Sequence, residues 1–318
     1  MSSLEDKVLS ILKSGKYVSG ASIAKSLGVS RSLVHKAIES LRRKGFIIVA
    51  HTRLGYRLVE EDDLALAQTY VRGLGTRLRY VVHYLRRCTT TQDVADNLAR
   101  HGCDEGTVVV CDEMSEGRGR LGRSWVAPNG GLWFTVVLRP PPLPNLQLLS
   151  LATGLAVAKS IRELYGIDAR LKWPNDVLIN DKKVCGVLIE ARAEADLIKY
   201  VLVGVGINVN NELPKELLNS ATTLSRVTGK VIPRLPLLLT VLKNVDGTYS
   251  LIREGRSEVV IKEWVRCSAT IGRYVRADVI GGNTVEGLAV SIDRYGRLVI
   301  KTKEGNVAIS AGDIYHLR

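Results

Sequence analysis

The chain has 318 residues, 46% of them hydrophobic, and a formal charge of +13. That length suits two or three domains, and that apolar share excludes global disorder. The apolar stretch around Leu148 to Ala158 is too short and too interrupted to span a bilayer, and five scattered cysteines without a Cys-x-x-Cys pair exclude a disulfide framework or a zinc site. The excess of positive charge suits nucleic acid, nucleotide or an acidic protein as partner, and equally suits plain solubility. No apolar signal core follows Met1, so the expected compartment is the cytoplasm, without a membrane partner.

Leu4, Val8, Ile11 and Leu12 recur at helical spacing. Ser19 is placed to cap a second helix burying Ile23 and Leu27, Gly28 to turn the chain, and Ser30 to cap a third helix burying Val34, Ile38 and Leu41. Two β-rich runs follow, Phe46–Val49 and Tyr56–Val59. Three helices and a wing make a winged helix-turn-helix, whose third helix enters the major groove in DNA-binding examples. Its outward residues Arg31, Ser32, His35 and Lys36, with Arg53 in the wing, are the candidate DNA contacts. The basic cluster Arg42, Arg43 and Lys44 has a second reading, as cations favoured at a helix C-terminus. The module as a whole also has one, as a protein–protein contact. Glu60 to Asp63 read as an acidic hinge, and Leu64 to Leu78 as a helix leading into a turn at Gly73 and Gly75.

Beyond the hinge, strand-like and helical runs alternate. Strands are expected at Val81–Leu85, Thr107–Cys111, Leu132–Leu138, Ala169–Lys172, Val177–Ile179, Val184–Ala191 and Lys199–Val205. Helices are expected at Thr91–Arg100 and, after a Pro-rich break at Pro140–Pro144, over Leu146 to Leu164; Asn180-Asp181 reads as a hairpin turn. This grouping suggests an α+β layer with a mixed sheet. Within it, Gly117 to Trp125 reads Gly-Arg-Gly-Arg-Leu-Gly-Arg-Ser-Trp. Glycines let the backbone come close to a ligand, and arginine forks match phosphate and carboxylate oxygens. The segment fits a clamp around an anion or, taken alone, a solvated basic loop. Gly204-x-Gly206 lacks the rest of a dinucleotide fingerprint, which excludes a Rossmann site. After Arg266, glycines punctuate short β-rich runs at Val275–Ile280, Thr284–Ile292, Leu298–Thr302 and Asn306–Ser310, the pattern of a small barrel.

Three blocks in order, the arginine-glycine run, Lys-Trp-Pro-Asn-Asp at 172–176 continuing to Ala191, and Gly-Val-Gly-Ile-Asn at 204–208, closely resemble biotin protein ligases. With the helix-turn-helix in front and the β-domain behind, the likeness covers essentially the whole chain, in the pattern of the two-function ligases that also repress biotin genes. It implies an α+β fold with three parts: a winged helix-turn-helix over 1–65; a catalytic domain over 66–267, built on the mixed sheet that biotin/lipoate ligases share with class II aminoacyl-tRNA synthetases; and an SH3-like barrel over 268–318.

The resemblance also implies the chemistry. Biotin and ATP, with Mg²⁺, give biotinyl-5'-AMP, and the biotinyl group passes to a lysine of a biotin carboxyl carrier protein. Biotinyl-5'-AMP is then also the expected corepressor, operator DNA a partner, and a homodimer the DNA-binding form. Lys183 is the residue expected to reach the reacting carboxylate and α-phosphate. Arg118 and Arg120, with Gly119 between them, are expected to order over biotin and hold the adenylate, Arg123 to meet phosphate, and Trp125 to lie near adenine. Asn175 and Asn208 fit nucleotide contacts, and Asp176 a place near Mg²⁺ or a nearby cation. Thr89, Thr90, Thr91, Gly131, Leu132, Trp133 and Gly186 are expected around biotin.

Two positions depart from the family. Thr91 stands where it has Asn, so that helix capping is its other reading. Met114 stands where Gln is common, a weak hydrogen-bonding group beside a ureido head that needs partners. A lipoate-type ligase, which shares fold and adenylate chemistry, and a ligase whose winged helix does not bind DNA are the other two readings.

Overall fold

The computed structural model describes residues 3–43, 46–59, 62–142, 146–194, 197–279 and 284–317. Helices α1 (Leu4–Leu12), α2 (Gly20–Leu27) and α3 (Arg31–Arg43) open the chain. Ser3 forms a capping box with Asp6, Ser19 accepts the Ser22 N–H, and Ser30 accepts the Leu33 N–H. Gly28 ends α2 in the left-handed region at φ 66°.

The wing is an antiparallel pair, β1 (Ile48–His51) and β2 (Gly55–Leu58). Its first strand starts two residues later than expected. The reversal is confined to Thr52–Leu54, so pairing runs out to His51 opposite Gly55. Ile48 and Leu58 close the core that Val8, Leu12, Ile23, Val34, Ile38 and Leu41 begin, while Val49 and Val59 face away into the core of the central region. That alternation is the period of two along a strand. Arg42 donates to the Ile48 carbonyl and pairs with Glu39, so it ties α3 to the wing. Lys44 and the Arg43 side chain lie outside the described residues.

Glu60 and Glu61 of the acidic hinge lie outside them too. Asp63 accepts the Ala65 N–H and starts a 3₁₀ turn at Leu64–Leu66, followed by the short α4 (Ala67–Val71). One longer helix was expected here. Asp62 reaches Arg234, a nearly buried guanidinium that also bonds Asp112 at 2.9 Å and the Gly131 carbonyl at 3.3 Å. The hinge is thereby linked to the backbone just ahead of a central strand.

The central region runs β3 (Val81–Cys88), α5 (Thr91–Arg100), β4 (Thr107–Met114), β5 (Leu132–Leu138), α6 (Gln147–Tyr165), β6 (Arg170–Lys172), β7 (Asp176–Ile179), β8 (Lys182–Glu194) and β9 (Leu197–Ile207). Leu143 and Pro144, in the Pro-rich break, lie outside the described residues. Helices α7 (Leu224–Thr228), α8 (Arg234–Arg253) and α9 (Ser257–Arg266) follow. The strands form one mixed sheet in the order β3-β4-β5-β9-β8-β7-β6, with β3 and β4 parallel. Asn180 and Asp181 make the β7–β8 turn at φ 51° and 57°.

The sheet's two faces have different covers. Val108, Val110, Phe134, Val136, Val201, Val203 and Val205 pack with α6 and α8. The alternate residues Val109, Val137 and Leu202 pack on Ala95 and Ala99 of α5. Because α5 is only 10 residues long, much of the second face stays uncovered beyond its N-terminus. No helix among the described residues is long and apolar enough to cross a membrane.

At the back, β10 (Tyr274–Val279), β11 (Thr284–Ile292), β12 (Leu298–Thr302), β13 (Gly305–Ile309) and β14 (Gly312–His316) are all antiparallel, in the order β13-β12-β11-β10-β14. Among the described residues this is one five-stranded sheet with β13 and β14 at its ends, standing where the SH3-like domain was expected; no pairing of β13 with β14 closes it. Ile280 and the Gly281-Gly282 pair lie outside them. The sheet is pinned to the centre by Trp173, whose indole N–H donates to the Gly296 carbonyl at 3.0 Å and whose backbone N–H donates to Thr270 Oγ1.

Candidate active site

The uncovered part of the sheet forms the floor of a cavity of about 240 Å³. Gly186 pairs with Gly206 and Leu188 with Gly204 across β8 and β9, and all four project toward the α5 side. Three of the four lack a side chain, and that is what makes the hollow. Trp125 fills the space over Gly206: a Cβ there would sit 2.8 Å from the indole ring.

Lys183 reaches this floor because of a bulge. In the β7–β8 ladder Val177 faces Cys185, but Leu178 faces Lys183, so Val184 is an extra residue. The extra residue reverses the alternation and turns Lys183 onto the same face as Gly186. Its ammonium lies 2.7 Å from Asp176 Oδ1 and 5.1 Å from the centre of the Trp125 ring. Lys182 goes the other way and donates to the Leu218 carbonyl.

The arginine-glycine segment is a closed hairpin over the cavity mouth. Gly119 N–H donates to the Arg123 carbonyl and Trp125 N–H to the Gly117 carbonyl. Leu121 at φ 57° and Gly122 at φ 71° make the reversal. Its arginines diverge. Arg118 pairs with Asp93 and Glu190, Arg120 lies 3.3 Å from Asn175 Oδ1, and Arg123 forms a fork with Asp313 of the back sheet. The Asn175 amide is oriented by donating to the Val187 carbonyl at 2.8 Å, which leaves its oxygen for Arg120.

Five basic side chains line the cavity, Arg118, Arg120, Arg123, Lys172 and Lys183, against two carboxylates, Asp176 and Asp313. Burial pulls the Arg120 guanidinium and the Lys172 ammonium below their ordinary pKa, and the nearby aspartates offset this only in part. Cations held at a desolvation cost gain most from an arriving anion. The other end of the cavity is neutral: Thr90, Thr91, Gln92, Met114 and Leu188.

The chain's relatives carry the same arrangement of parts. A family profile described as "Biotin/lipoate A/B protein ligase family" matches residues 84–208, an "HTH domain" profile residues 5–57, and a "Biotin protein ligase C terminal domain" profile residues 270–317. The Bifunctional ligase/repressor BirA of Bacillus subtilis is 37% identical over 308 residues, covering 94% of each chain. The chain belongs to the biotin protein ligase family. The biotin--[acetyl-CoA-carboxylase] ligase of Mycobacterium tuberculosis is 35% identical over 70% of this chain and 85% of its own. Among solved structures, biotin protein ligase from Aquifex aeolicus in complex with biotin and ATP superposes with a TM-score of 0.67 at 34% identity, over 76% of this chain and all of that one.

In this biotin protein ligase family member, the fold brings together Thr90, Thr91, Met114, Arg118, Gly119, Arg120, Arg123, Trp125, Asn175, Asp176, Lys183 and Gly186 around the cavity. It leaves others out. Thr89 is exposed and does not line it, because the turn aims Thr90 inward as the α5 cap. The cap is therefore Thr90, and Thr91 instead bonds Thr135 Oγ1 at 2.8 Å beneath the helix. Gly131, Leu132 and Trp133 do not line it either. The Trp133 ring turns back over Gly131, donates to the Pro128 carbonyl and meets Trp125 edge-on behind the cavity wall. Asn208 is buried, accepts from Asn211, and lines an adjoining hollow with Lys172, Asp176, Lys183, Arg273 and His316.

Sequence reasoning missed Lys172 and Gln92, and, although the C-terminal domain was expected to assist ATP and carrier docking, it did not single out Asp313, Ile314 and Tyr315, which line the cavity. Periodicity in 312–316 was the available signal for the last of these. The candidate DNA contacts Arg31, Ser32, His35, Lys36 and Arg53 are all exposed, with His35 3.3 Å from the Tyr56 hydroxyl and the Ser32 hydroxyl 2.8 Å from that of Ser30.

His316 carries a pH dependence. Burial first, then Lys172 and Arg273, push its imidazole down to about 4 from 6.5. The unfolded chain therefore takes up a proton near pH 6.5 that the folded chain refuses until about pH 4. Stability held above pH 6.5 is lost as pH falls through that window. Replacing His316 by Gln is expected to flatten the fall, seen as a smaller difference between the thermal midpoints at pH 7 and pH 5. An equal difference in both proteins would remove His316 as its source.

Proposed function

We propose that the protein is an ATP-dependent biotin protein ligase that forms biotinyl-5'-AMP, transfers the biotinyl group to a lysine of a biotin carboxyl carrier protein, and represses biotin genes through its winged helix with that adenylate as corepressor. The observation that carries the ligase reading is one cavity with a neutral polar end and an end where Lys183, Arg120, Lys172 and Arg123 converge. A ligand with an uncharged cyclic head and a carboxylate tail fits such a site, with the nucleotide phosphates meeting the tail.

In the first step a carboxylate oxygen of biotin bonds to the α-phosphorus and the bond to the leaving pyrophosphate breaks. Two anions must meet, so fixed positive charge that offsets their repulsion does most of the work. Lys183, raised onto the floor by the bulge, is placed for the reacting carboxylate and α-phosphate. Arg118 and Arg120 hold the adenylate from above, and Arg123 meets phosphate. Trp125 offers a flat face for adenine, and Asn208 a nucleotide contact from the adjoining hollow. Asn175 positions Arg120, and Thr90, Thr91, Met114 and Gly186 surround the biotin. In the second step the carrier lysine attacks the acyl carbon and AMP departs.

Mg²⁺ brings charge neutralisation on the phosphates. Among the described residues no cluster of three potential ligands stands ready for it. A single carboxylate, Asp176, suits an ion that arrives on its nucleotide and takes one or two protein ligands.

Gly206→Ala tests the place of Trp125. The added methyl, 2.8 Å from the indole, displaces the ring, and overpacking of that kind costs about 1–3 kcal/mol. The KM for ATP in pyrophosphate exchange is expected to rise roughly tenfold. An unchanged KM for ATP would take Trp125 off the nucleotide's binding surface.

For repression, Arg31, Ser32, His35 and Lys36 present one exposed face of α3, with Arg53 in the wing beside it, as a groove-reading surface does. The division into 1–65, 66–267 and 268–318 assigns DNA binding, catalysis, and support of nucleotide and carrier docking in turn. A homodimer would form along a strand edge: β8 pairs with β7 only as far as Gly186, which leaves Leu188 to Glu194 with one neighbour.

The direct test supplies purified protein with a carrier domain, MgATP, and biotin or lipoate, and reads the carrier mass. Biotinylation is expected; labelling by lipoate alone overturns the assignment. Binding to the promoters of biotin genes is expected to tighten with biotin plus MgATP. Specific binding that is absent with and without them overturns the repressor half.

A further inference from the structure

Two segments bring lysines to the cationic end of the cavity: Lys172 to Asp176, leading into β7, and the β7–β8 hairpin that presents Lys183. The back sheet holds both. The Trp173 backbone N–H donates to the buried Thr270 Oγ1 at 3.2 Å. That oxygen lies 3.3 Å from His316 Nε2, and His316 Nδ1 lies 3.3 Å from Arg273 Nη1. Arg273 Nη2 donates to Asp181 Oδ1 at 3.0 Å, in the turn two residues ahead of Lys183. His316 therefore joins the two arms. We infer that His316 is a positioning residue of the adenylation site, the hub through which the back sheet fixes Lys172 and Lys183 relative to each other. This deepens the ligase reading above and rests on it.

The chemistry of the partners fixes the hydrogens. A guanidinium can only donate, so His316 Nδ1 accepts from Arg273 and the ring hydrogen sits on Nε2, facing Thr270. The Thr270 oxygen then accepts twice, from the imidazole and from the Trp173 N–H. A second ring proton would stand against the guanidinium that now donates to Nδ1. Burial first, then Lys172 and Arg273, keep the ring uncharged at neutral pH, with Asp181 opposing them. The chain of hydrogen bonds is thus intact where the enzyme works.

The two lysines need such a hold. Lys183 is among the charges that push the Lys172 ammonium below its ordinary pKa, so the pair repels. Charge that is to offset the meeting of a carboxylate and a phosphate must be in place beforehand, and a misplacement of about 1 Å can cost roughly 10²-fold. The Lys172 segment has other anchors: Trp173 Nε1 donates to the Gly296 carbonyl, and the Pro174 carbonyl accepts from Gln147 and Ser150. Loss of one anchor therefore shifts the segment without freeing it. His316 and Arg273 line the hollow beside the cavity, so direct contact with the nucleotide is the competing role; Thr270 lines neither space and separates the two.

Biotin-dependent pyrophosphate exchange by the full chain tests this, with biotin affinity measured by calorimetry without nucleotide. His316→Leu keeps the bulk and cuts both arms. Its kcat/KM for ATP is expected to fall roughly tenfold while biotin Kd stays within about twofold of the parent. His316→Gln, an uncharged donor and acceptor, is expected to recover exchange to within about threefold. Thr270→Val is expected to lose several-fold, and the double variant with His316→Leu no more than His316→Leu alone, because residues of one network do not add. The inference is overturned by an unchanged kcat/KM in His316→Leu, by an equal loss of biotin affinity, by a Gln variant no better than Leu, or by losses that multiply in the double variant. Should the buried substitutions not fold, Arg273→Ala decides it: exchange is expected to slow about fivefold, an unchanged rate counting against. Nitrogen NMR shifts read the ring directly, and a hydrogen found on Nδ1 at neutral pH would also overturn the hub. A parent protein without biotin-dependent exchange would overturn the ligase reading instead.

Discussion

Replacing Lys183 by alanine is expected to slow adenylate formation by roughly 10²–10³-fold, the range seen when one preorganised stabilising group is removed from a transition state. Val184, as an extra residue, turns Lys183 onto the cavity floor, and Asp176 at 2.7 Å holds the ammonium there. The charge is thus in place before the substrates arrive, and no reorganisation is needed when the carboxylate meets the α-phosphate. Pyrophosphate exchange in the presence of biotin reads this step without a carrier protein. Lys182→Ala is the matched control: it changes the adjacent residue of the same hairpin, whose ammonium bonds the Leu218 carbonyl on the far side, and it should leave exchange within about threefold. Lys183→Arg should not restore the rate, because a planar fork on a longer stem does not place a point charge where an ammonium does. Exchange unchanged in Lys183→Ala would remove the residue from the site.

Those two lysines also show where sequence reading stops. Strand alternation is enough to say that Lys182 and Lys183 face opposite ways. Which of them meets the ligand depends on a bulge that nothing in Lys-Lys-Val-Cys-Gly announces, because a bulge is a property of two strands in register. Elements bounded by their own local chemistry were legible: α5 runs from Thr91 to Arg100 as its cap and spacing require, and β5 spans Leu132 to Leu138 as its apolar run requires. Helix α8 was not, since burial on nearly every side removes the amphipathic stripe by which a helix is recognised, and Pro236 stands in its first turn. The strand at 312–316 was not, because its partner β10 lies far away in sequence. The same limit explains Gln92. At the head of an amphipathic helix a glutamine reads as a solvent residue, and only the glycine at 204, more than a hundred positions on, makes its pocket.

Arg120→Gly is expected to leave adenylate formation measurable while raising the labelling of bystander proteins roughly tenfold or more. Arg120 is the loop arginine that reaches an uncharged partner, Asn175 Oδ1 in the loop ahead of β7, and burial has already pulled it below its ordinary pKa. Arg118 and Arg123 by contrast pair with carboxylates at the rim, Asp93, Glu190 and Asp313. An acyl-adenylate in the cavity supplies the anion that the desolvated Arg120 lacks, and a charge-assisted hydrogen bond of that kind is worth about 1.5–3 kcal/mol. Its loss converts to a roughly 10- to 100-fold faster escape if formation is little changed. Glycine at this position also removes the hairpin's contact with Asn175, so the mouth loosens as the hold weakens. The released species is a mixed anhydride and acylates any accessible amine. Biotin incorporated into an unrelated lysine-rich protein, with the carrier domain absent, measures the escape directly. Asn175→Ala should move in the same direction but less far, because it frees the guanidinium from its orienting partner without deleting the charge. Stray labelling that stays at the parent level in Arg120→Gly, with adenylate still forming, would show that the intermediate is retained by other groups and that the hairpin is not its clamp.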